Sequence, residues 1–358
     1  MSMVTEREWR RRAARAARVA PRCWGAQCVK QKRALVHQRP FHALMLLVSL
    51  SLSVLTPRLL ATPTPAEYPS AVAPDAQIAP RARTVREITY ALPTELTYHS
   101  RTYTKEQLLR GKMLLLDSAH PLPFGAPAPN TLSVAGYGKG MAAVGDLSVK
   151  SGKETIAALT RLFAYARGRG VTGLCVWRAT LTPAEQNELR LGTLLRLARK
   201  QSLQRAVERT LAQTDAPCTG ELLQEYTVEL RLLAQGESAP DERPLGKTEQ
   251  GRFLLQNAWR YGFVYRGAGK EGELSYRFRY VGEAHAMAMT YLDLDMESYL
   301  EHLHEKRVLC IRKDGAVKHL ILCAPMGETH IEFHALDGAD CEASVDNTGW
   351  AILACTTP

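Results

Sequence analysis

The stretch SYRFRYVGEAHAMAM, residues 275–289, decides which fold this chain adopts. It predicts a strand over about residues 277–282. The residues after this strand predict two short helices that end near Leu303. Arg277 lies at the start of the predicted strand, and the functional interpretation depends on that residue.

Upstream of this stretch, helix and strand signals alternate. Ser151 and Glu154 form a capping box that opens one helix, and Thr182 and Glu185 form a second box, which opens a long helix to about Gln213. The apolar residues on one face of the first helix are Ile156, Leu159 and Phe163. Further strands are predicted at residues 171–177, 225–233 and 262–266, and a further helix at residues 248–261.

The predicted strand at residues 225–233 alternates between apolar residues and polar or charged residues. Tyr226, Val228, Leu230 and Leu232 share one face, which predicts a half-exposed strand. Together with its neighbours it indicates an α+β fold.

The last fifty residues change character. Asp314-Gly315 is a favoured two-residue turn, so the sequence around it predicts a hairpin. The segments "THIEFHAL", "CEASV" and "WAILAC" then predict further short strands. Residues 307–358 therefore read as a small β subdomain.

Almost all of the net charge lies at the N-terminus. The formal charge of the chain is +10, yet residues 1–40 carry eleven Lys and Arg against two Glu, and Arg58 adds one more cation. The remainder sums to about zero, which argues against nucleic-acid binding.

An uncharged apolar run from Phe41 to Pro57 comes directly after this basic head. The pattern is typical of a signal peptide or a signal anchor, and it predicts that the chain beyond residue 57 is exported. A Pro- and Ala-rich linker comes next. The predicted organisation is a basic cytoplasmic head at 1–40, the signal segment at 41–57, the linker at 58–84, a folded domain at 85–306 and the β subdomain at 307–358.

The eight cysteines contain no Cys-x-x-Cys pair. Cys23 and Cys28 lie in the basic head without a histidine at zinc-finger spacing. The other six would be exported, where disulfides are possible. Scattered buried thiols are nevertheless the favoured interpretation for Cys175, Cys218, Cys310, Cys323, Cys341 and Cys355.

Several segments, taken in order, resemble one family. "LLLDSAHPLPFG" (114–125), "FLLQNAWRYGFVYR" (253–266), the opening stretch and "LDMESYLEHL" (294–303) are similar to VanY-type D-alanyl-D-alanine carboxypeptidases. These are zinc enzymes that trim cell-wall peptide. The resemblance covers about residues 110–303 and implies helices packed on a small, mainly antiparallel sheet.

The resemblance also assigns the chemical positions, and almost all of them have changed. The family's first histidine and its aspartate, in SxHxxGxAxD, fall on Leu222 and Glu229. Its catalytic glutamate and last histidine, in ExxH, fall on Leu274 and Arg277. The substrate-steadying arginine falls on Leu181.

Three protein ligands and one open position make a catalytic zinc site, and these residues do not supply them. At about 4 Å, a guanidinium would repel a dication by on the order of 8 kcal/mol at an effective dielectric near 20. We therefore expect Glu229 and Arg277 to form a salt bridge in place of zinc, or else Arg277 to turn outward into solvent.

No other histidine has a partner at convincing ligand spacing. The candidates are His120, His285, His302, His304, His330 and His334. The favoured interpretation is an exported, catalytically inactive relative without a cofactor, which binds peptidoglycan peptide or an envelope protein. The alternatives are an active zinc carboxypeptidase with relocated ligands and a purely structural envelope scaffold.

Overall fold

The structure, a computed structural model, describes residues 88–139, 143–216, 218–233, 243–268 and 276–358. Residues Arg81–Pro358 form one compact unit. The head, the signal segment and the linker lie outside the described residues. Within the described part of the chain, no helix is both long and apolar enough to cross a bilayer.

The described residues form both helices and strands, and from Val308 on the regular elements are strands alone. The α-helices are α1 (Lys105–Leu108), α2 (Val134–Tyr137), α3 (Lys153–Gly168), α4 (Pro183–Ala198), α5 (Leu203–Gln213), α6 (Glu249–Asn257), α7 (Glu283–Leu292) and α8 (Met296–Lys306). The 3-10 turns are η1 (Glu221–Leu223), η2 (Leu245–Lys247) and η3 (Ala258–Tyr261). The strands are β1 (Ile88–Thr89), β2 (Tyr98–Thr104), β3 (Thr131–Ser133), β4 (Lys150–Gly152), β5 (Leu174–Arg178), β6 (Thr227–Leu232), β7 (Phe263–Ala268), β8 (Tyr276–Tyr280), β9 (Val308–Lys313), β10 (Ala316–Pro325), β11 (His330–Leu336), β12 (Asp340–Val345) and β13 (Trp350–Thr356).

A four-stranded antiparallel sheet, in the order β5-β6-β8-β7, carries the candidate site. The apolar face of α3 packs on one side of it, as the predicted face of Ile156, Leu159 and Phe163 requires. The core on that side also contains Val228 and Leu230. The predicted α+β fold is confirmed.

A second antiparallel sheet has five strands in the order β1-β9-β10-β13-β12. Its β9–β10 turn places Asp314 at φ 53° and Gly315 at φ 81°, so both central residues adopt the left-handed conformation that this hairpin requires. The predicted hairpin is confirmed. Helices α7 and α8 share a core with this sheet through Met289, Tyr299 and Leu303.

The boundary proposed at residues 306/307 stays a prediction. Strands from before residue 105 pair with strands of the tail, because β1 pairs with β9 and β2 pairs with β11. The predicted tail strands are all present.

Two helix predictions are wrong in detail. Ser151 does not cap α3; it lies in β4 and its hydroxyl donates to the Glu225 carbonyl at 3.0 Å, while Gly152 occupies the cap position. The Thr182–Glu185 capping box is present as predicted. However, the long helix that it opens is interrupted after Ala198 and resumes at Leu203.

One cysteine prediction is also wrong. Cys341 and Cys355 face each other across β12 and β13 and form a disulfide. Cys175, Cys310 and Cys323 are buried free thiols, and Cys218 is half-buried. The two bonded cysteines are fourteen residues apart in the chain, and this spacing does not correspond to a sequence motif from which the disulfide could be predicted.

We predict that the disulfide contributes to stability. Because it closes a loop of about 15 residues in the unfolded chain, the Cys341→Ala/Cys355→Ala variant should lose about 3 kcal/mol of unfolding free energy. Denaturant unfolding of the full-length protein, without added oxidant or reductant, measures this loss. A reductant should lower the stability of the wild type and leave the variant unchanged; equal sensitivity of the two proteins would contradict the prediction.

Candidate functional site

Strand β6 is buried on both faces, so the prediction of a half-exposed strand is wrong. Val228, Leu230 and Leu232 face the apolar core, as expected. The other face carries Thr227, Glu229 and Arg231, and these are buried as well. Charged residues inside a protein require partners, and the neighbouring strands supply them.

Glu229 lies at the centre of a row of charges that runs across three strands. It pairs in register with Arg178 of β5 and with Arg277 of β8. Arg277 Nη2 donates to Glu229 Oε1 at 2.8 Å, and Arg178 Nη1 donates to Glu229 Oε2 at 3.0 Å. Only 1% of the Glu229 side chain is exposed. Each carboxylate oxygen therefore binds its own guanidinium, and we call these three residues the Arg178–Glu229–Arg277 row.

A β-bulge brings Arg178 into this row. The pairing of β5 with β6 shifts by one residue between Val176 and Arg178, so that Arg178 rather than Trp177 lies opposite Glu229. A bulge of this kind redirects the side chains that come after it. The ring of Trp177 instead lies beneath the Arg231 guanidinium, and Arg231 Cζ is 4.4 Å from the centre of that ring.

Arg277 remains charged in this environment. Burial lowers the pKa of Arg277, but the charges of Glu229, Asp215 and Glu221 raise it by more, and the pKa ends above its ordinary value. Asp215 Oδ2 lies 3.6 Å from Arg277 Nη1. Arg277 is therefore a permanent cation that is neutralised by carboxylates on two sides.

Next to the row, a second arginine fixes a neighbouring segment of the chain. Arg279 is completely buried, and its Nη2 donates to the carbonyls of Lys112 at 2.8 Å and Leu114 at 2.9 Å and to the amide oxygen of Gln224. Burial lowers the pKa of Arg279, although Glu221 counteracts part of this effect. Arg279 thereby ties the 112–114 segment to the same face of the sheet.

Arg266 of β7 completes the charged face. Its Nε donates to Glu221 Oε1 at 2.9 Å, and its two terminal nitrogens bind the Glu297 carboxylate at 2.8 and 2.6 Å. Burial lowers the pKa of Arg266, but the two carboxylates raise it by more than burial lowers it. The pKa therefore ends above its ordinary value, and Arg266 too stays protonated. The face is a network of arginines and carboxylates.

The remaining family positions supply no charged side chain to this network in the residues that the structure describes. Leu222 lies buried in η1, and its carbonyl accepts the backbone N–H of Leu181 at 2.7 Å. Those two positions are thus close neighbours, but both side chains are apolar. Leu274 lies outside the described residues.

These residues do not fit a zinc ion. Both oxygens of Glu229 already bind guanidinium groups, Leu222 offers no donor, and Arg277 repels a cation. Across the described ranges, no three His, Cys, Asp or Glu side chains come close enough to share a metal.

Three of the candidate histidines have other partners. His285 is buried with its Nδ1 2.9 Å from the Tyr299 hydroxyl, and burial, with Lys112 and His319 nearby, lowers its pKa to about 3. His120 Nδ1 lies 3.0 Å from the Asp117 carboxylate, and His304 Nε2 lies 2.6 Å from Asp346 Oδ2. None of these three lies among the residues of the charged face.

Sequence reasoning missed most of the charged face. It singles out Glu229 and Arg277, but not Arg178, Asp215, Glu221, Arg266, Arg279 and Glu297. Polar or charged residues at 227, 229 and 231 alternate with apolar residues along this strand. That pattern is a usable signal for a charged face, since charges on the second face of a strand need either solvent or partners.

Comparison with known proteins bears on this geometry. No family model matches the sequence. A D-alanyl-D-alanine carboxypeptidase of Enterococcus faecium is 28% identical over 75 residues, which are 19% of this chain and 25% of that protein. The match therefore spans only a quarter of the length of the curated relative.

Among solved structures, the vancomycin-resistance D,D-dipeptidase VanXYg, in complex with a D-Ala-D-Ala phosphinate analogue, superposes with a TM-score of 0.58. The overlap covers 73% of this chain and 99% of VanXYg, at 15% identity. The chain has the fold of a VanX/VanY-type D,D-peptidase.

VanYB in complex with D-alanine-D-alanine is a more distant structure, with a TM-score of 0.41 at 18% identity over 53% of this chain and 97% of VanYB. The VanXYg superposition is the one that establishes the fold. The resemblance to the VanY-type family is confirmed. The sequence resemblance assigns two members of the row, Glu229 and Arg277, to positions of metal ligands in that family, and this assignment stays a prediction.

We predict that the members of the row depend on one another. Glu229→Gln should lower the unfolding free energy by about 3–5 kcal/mol, because it strands buried guanidinium groups. The exposed Glu301→Gln provides a control that makes the same chemical change and should lie within about 0.5 kcal/mol of the wild type. Denaturant unfolding measures both.

A double-mutant cycle tests the coupling directly. Glu229→Gln/Arg277→Gln should cost clearly less than the sum of the two single variants, because the second substitution removes a charge that the first has stranded. Additive losses would show that Glu229 and Arg277 do not stabilise each other.

Proposed function

We propose that this protein is an envelope protein of the D,D-peptidase fold that binds cell-wall peptide and does not hydrolyse it. The observation that carries the proposal is the Arg178–Glu229–Arg277 row. Zinc-dependent hydrolysis needs a metal cation with an open position for water, whereas in this row both oxygens of the one carboxylate are already paired with guanidinium groups.

The proposed ligand is inferred from the relatives. The E. faecium relative is a D-alanyl-D-alanine carboxypeptidase, and VanXYg was solved with a D-Ala-D-Ala analogue. A retained fold with altered chemical groups supports recognition of a related peptide. A protein partner in the envelope is the second form of this proposal.

An extracytoplasmic location is part of the proposal. The Cys341–Cys355 disulfide supports it, because such bonds persist mainly outside the reducing cytoplasm. The basic head and the apolar run at 41–57 support export in the same direction. Anchoring through residues 41–57 is proposed on the basis of the sequence alone.

We predict that the purified full-length protein binds no stoichiometric zinc and releases no D-alanine from a peptide that ends in D-Ala-D-Ala. On the proposed assignment, Leu222 and Arg277 stand at the positions of two zinc ligands. The protein should therefore not hold zinc, and hydrolysis should lack the metal that it requires. Metal analysis after equilibration with zinc, together with a D-alanine release assay, checks both parts, and the D-alanyl-D-alanine carboxypeptidase of E. faecium serves as the active control. One zinc per chain with turnover that a chelator abolishes would overturn the proposal and favour relocated ligands.

The same preparation tests ligand binding. If cell-wall peptide is the ligand, the protein should sediment with purified peptidoglycan, and a soluble peptide that ends in D-Ala-D-Ala should compete. Sedimentation without competition indicates another wall component. If the protein does not sediment, the peptide form of the proposal is wrong, and a protein partner or a scaffold role replaces it.

A further inference from the structure

A cavity lies beside the Arg178–Glu229–Arg277 row. Its volume is about 320 Å³, and its walls come from the end of β5, from α4 and from the C-terminal end of α5. The lining residues are Arg178, Leu189, Thr193, Arg196, Gln213 and Thr214. None of the positions to which the VanY resemblance assigns a chemical role is among them.

The lining is cationic and rich in hydrogen-bonding groups. Two guanidinium groups, two hydroxyls and one amide surround the space, with Leu189 as the apolar member. No carboxylate is among these six residues. Guanidinium groups present fixed donors that match the oxygens of carboxylates and phosphates. Thr214 Oγ1 already donates to the Thr210 carbonyl at 2.7 Å, so Thr193 is the lining residue whose hydroxyl can donate to a ligand.

Arg178 is oriented before any ligand arrives. Its Nη1 is bound to Glu229 Oε2, and its side chain is 16% exposed, so the guanidinium is held at the edge of the cavity. Holding a donor in place reduces the entropy lost on binding. The row that replaces metal ligands therefore also positions one wall of this cavity.

Helix α4 carries two arginines and two glutamates, so its formal side-chain charge is zero, and one of the arginines is next in sequence to a lining residue. Arg190 comes directly after the lining residue Leu189, and its Nη1 is buried without a hydrogen-bond partner among the described residues. Burial lowers the pKa of Arg190. The helix that forms one wall of the cavity thus carries a further guanidinium besides Arg196.

We propose that this cavity is a binding site for the oxyanion group of a small ligand, with Arg178 and Arg196 as its cationic contacts and Thr193 as a hydroxyl donor. The volume lies at the lower end of the range of about 300–1,000 Å³ for ligand pockets, which suits a small molecule or one terminal group. Carboxylate and phosphoryl groups share the required chemistry. The inference goes beyond the proposed function and holds whether or not the protein hydrolyses peptide.

Titration of the full-length protein with inorganic phosphate and with acetate tests this site, with ionic strength matched by chloride. Binding is followed by calorimetry and by the rise in melting temperature, since a ligand that binds only the native state stabilises it. Arg196→Gln should weaken binding at least about tenfold, because it removes a charge-assisted contact. Thr193→Val should weaken binding less.

Arg205→Gln is the matched control, because Arg205 is exposed on α5 outside the lining and its replacement changes the net charge equally. It should bind as the wild type does. Saturable binding of phosphate alone identifies a phosphoryl site, and saturable binding of acetate alone a carboxylate site. Absence of saturable binding of both anions, or equal weakening by Arg196→Gln and Arg205→Gln, overturns the proposal.

Discussion

The contact on which the rest of the site depends is the pairing of one buried carboxylate, Glu229, with two guanidinium groups. Glu229 lies on the central strand β6, and its two oxygens hold Arg178 and Arg277 on the flanking strands. A buried ion pair adds little stability over apolar packing, whereas a partner left alone costs several kcal/mol. The three strands must therefore keep their register, and any change at one position has consequences at the other two.

This constraint also explains how the fold can persist without the family's chemical groups. The sequence resemblance assigns Glu229 and Arg277 to positions of metal ligands in the VanY-type family, and we infer from this assignment that a metal centre would lie between their two strands. Here the same point is filled by opposite charges, and Arg279 and Arg266 join the surrounding segments to it through Lys112, Leu114, Glu221 and Glu297. The network connects strands and loops, which is the structural role that a metal centre would otherwise have.

Part of this could be predicted from the sequence. The convergence of Glu229 and Arg277 is implied by the resemblance, because motif spacing assigns both residues to positions around one point. Arg178 could not be predicted, because it reaches Glu229 only through the bulge after Val176, and strand register is not visible in composition or periodicity. The same gap makes β6 look half-exposed from its sequence: its charged face is buried only because other strands neutralise it.

We propose that side-chain charges occupy the place that a metal has in the family. Crystals of the protein soaked with zinc, with anomalous diffraction measured at the zinc absorption edge, test it most directly. We expect Arg277 and Arg178 to remain on the Glu229 carboxylate, with no anomalous peak within coordination distance of its oxygens. A zinc peak about 2.0–2.2 Å from a Glu229 oxygen, with Arg277 displaced, would contradict the account.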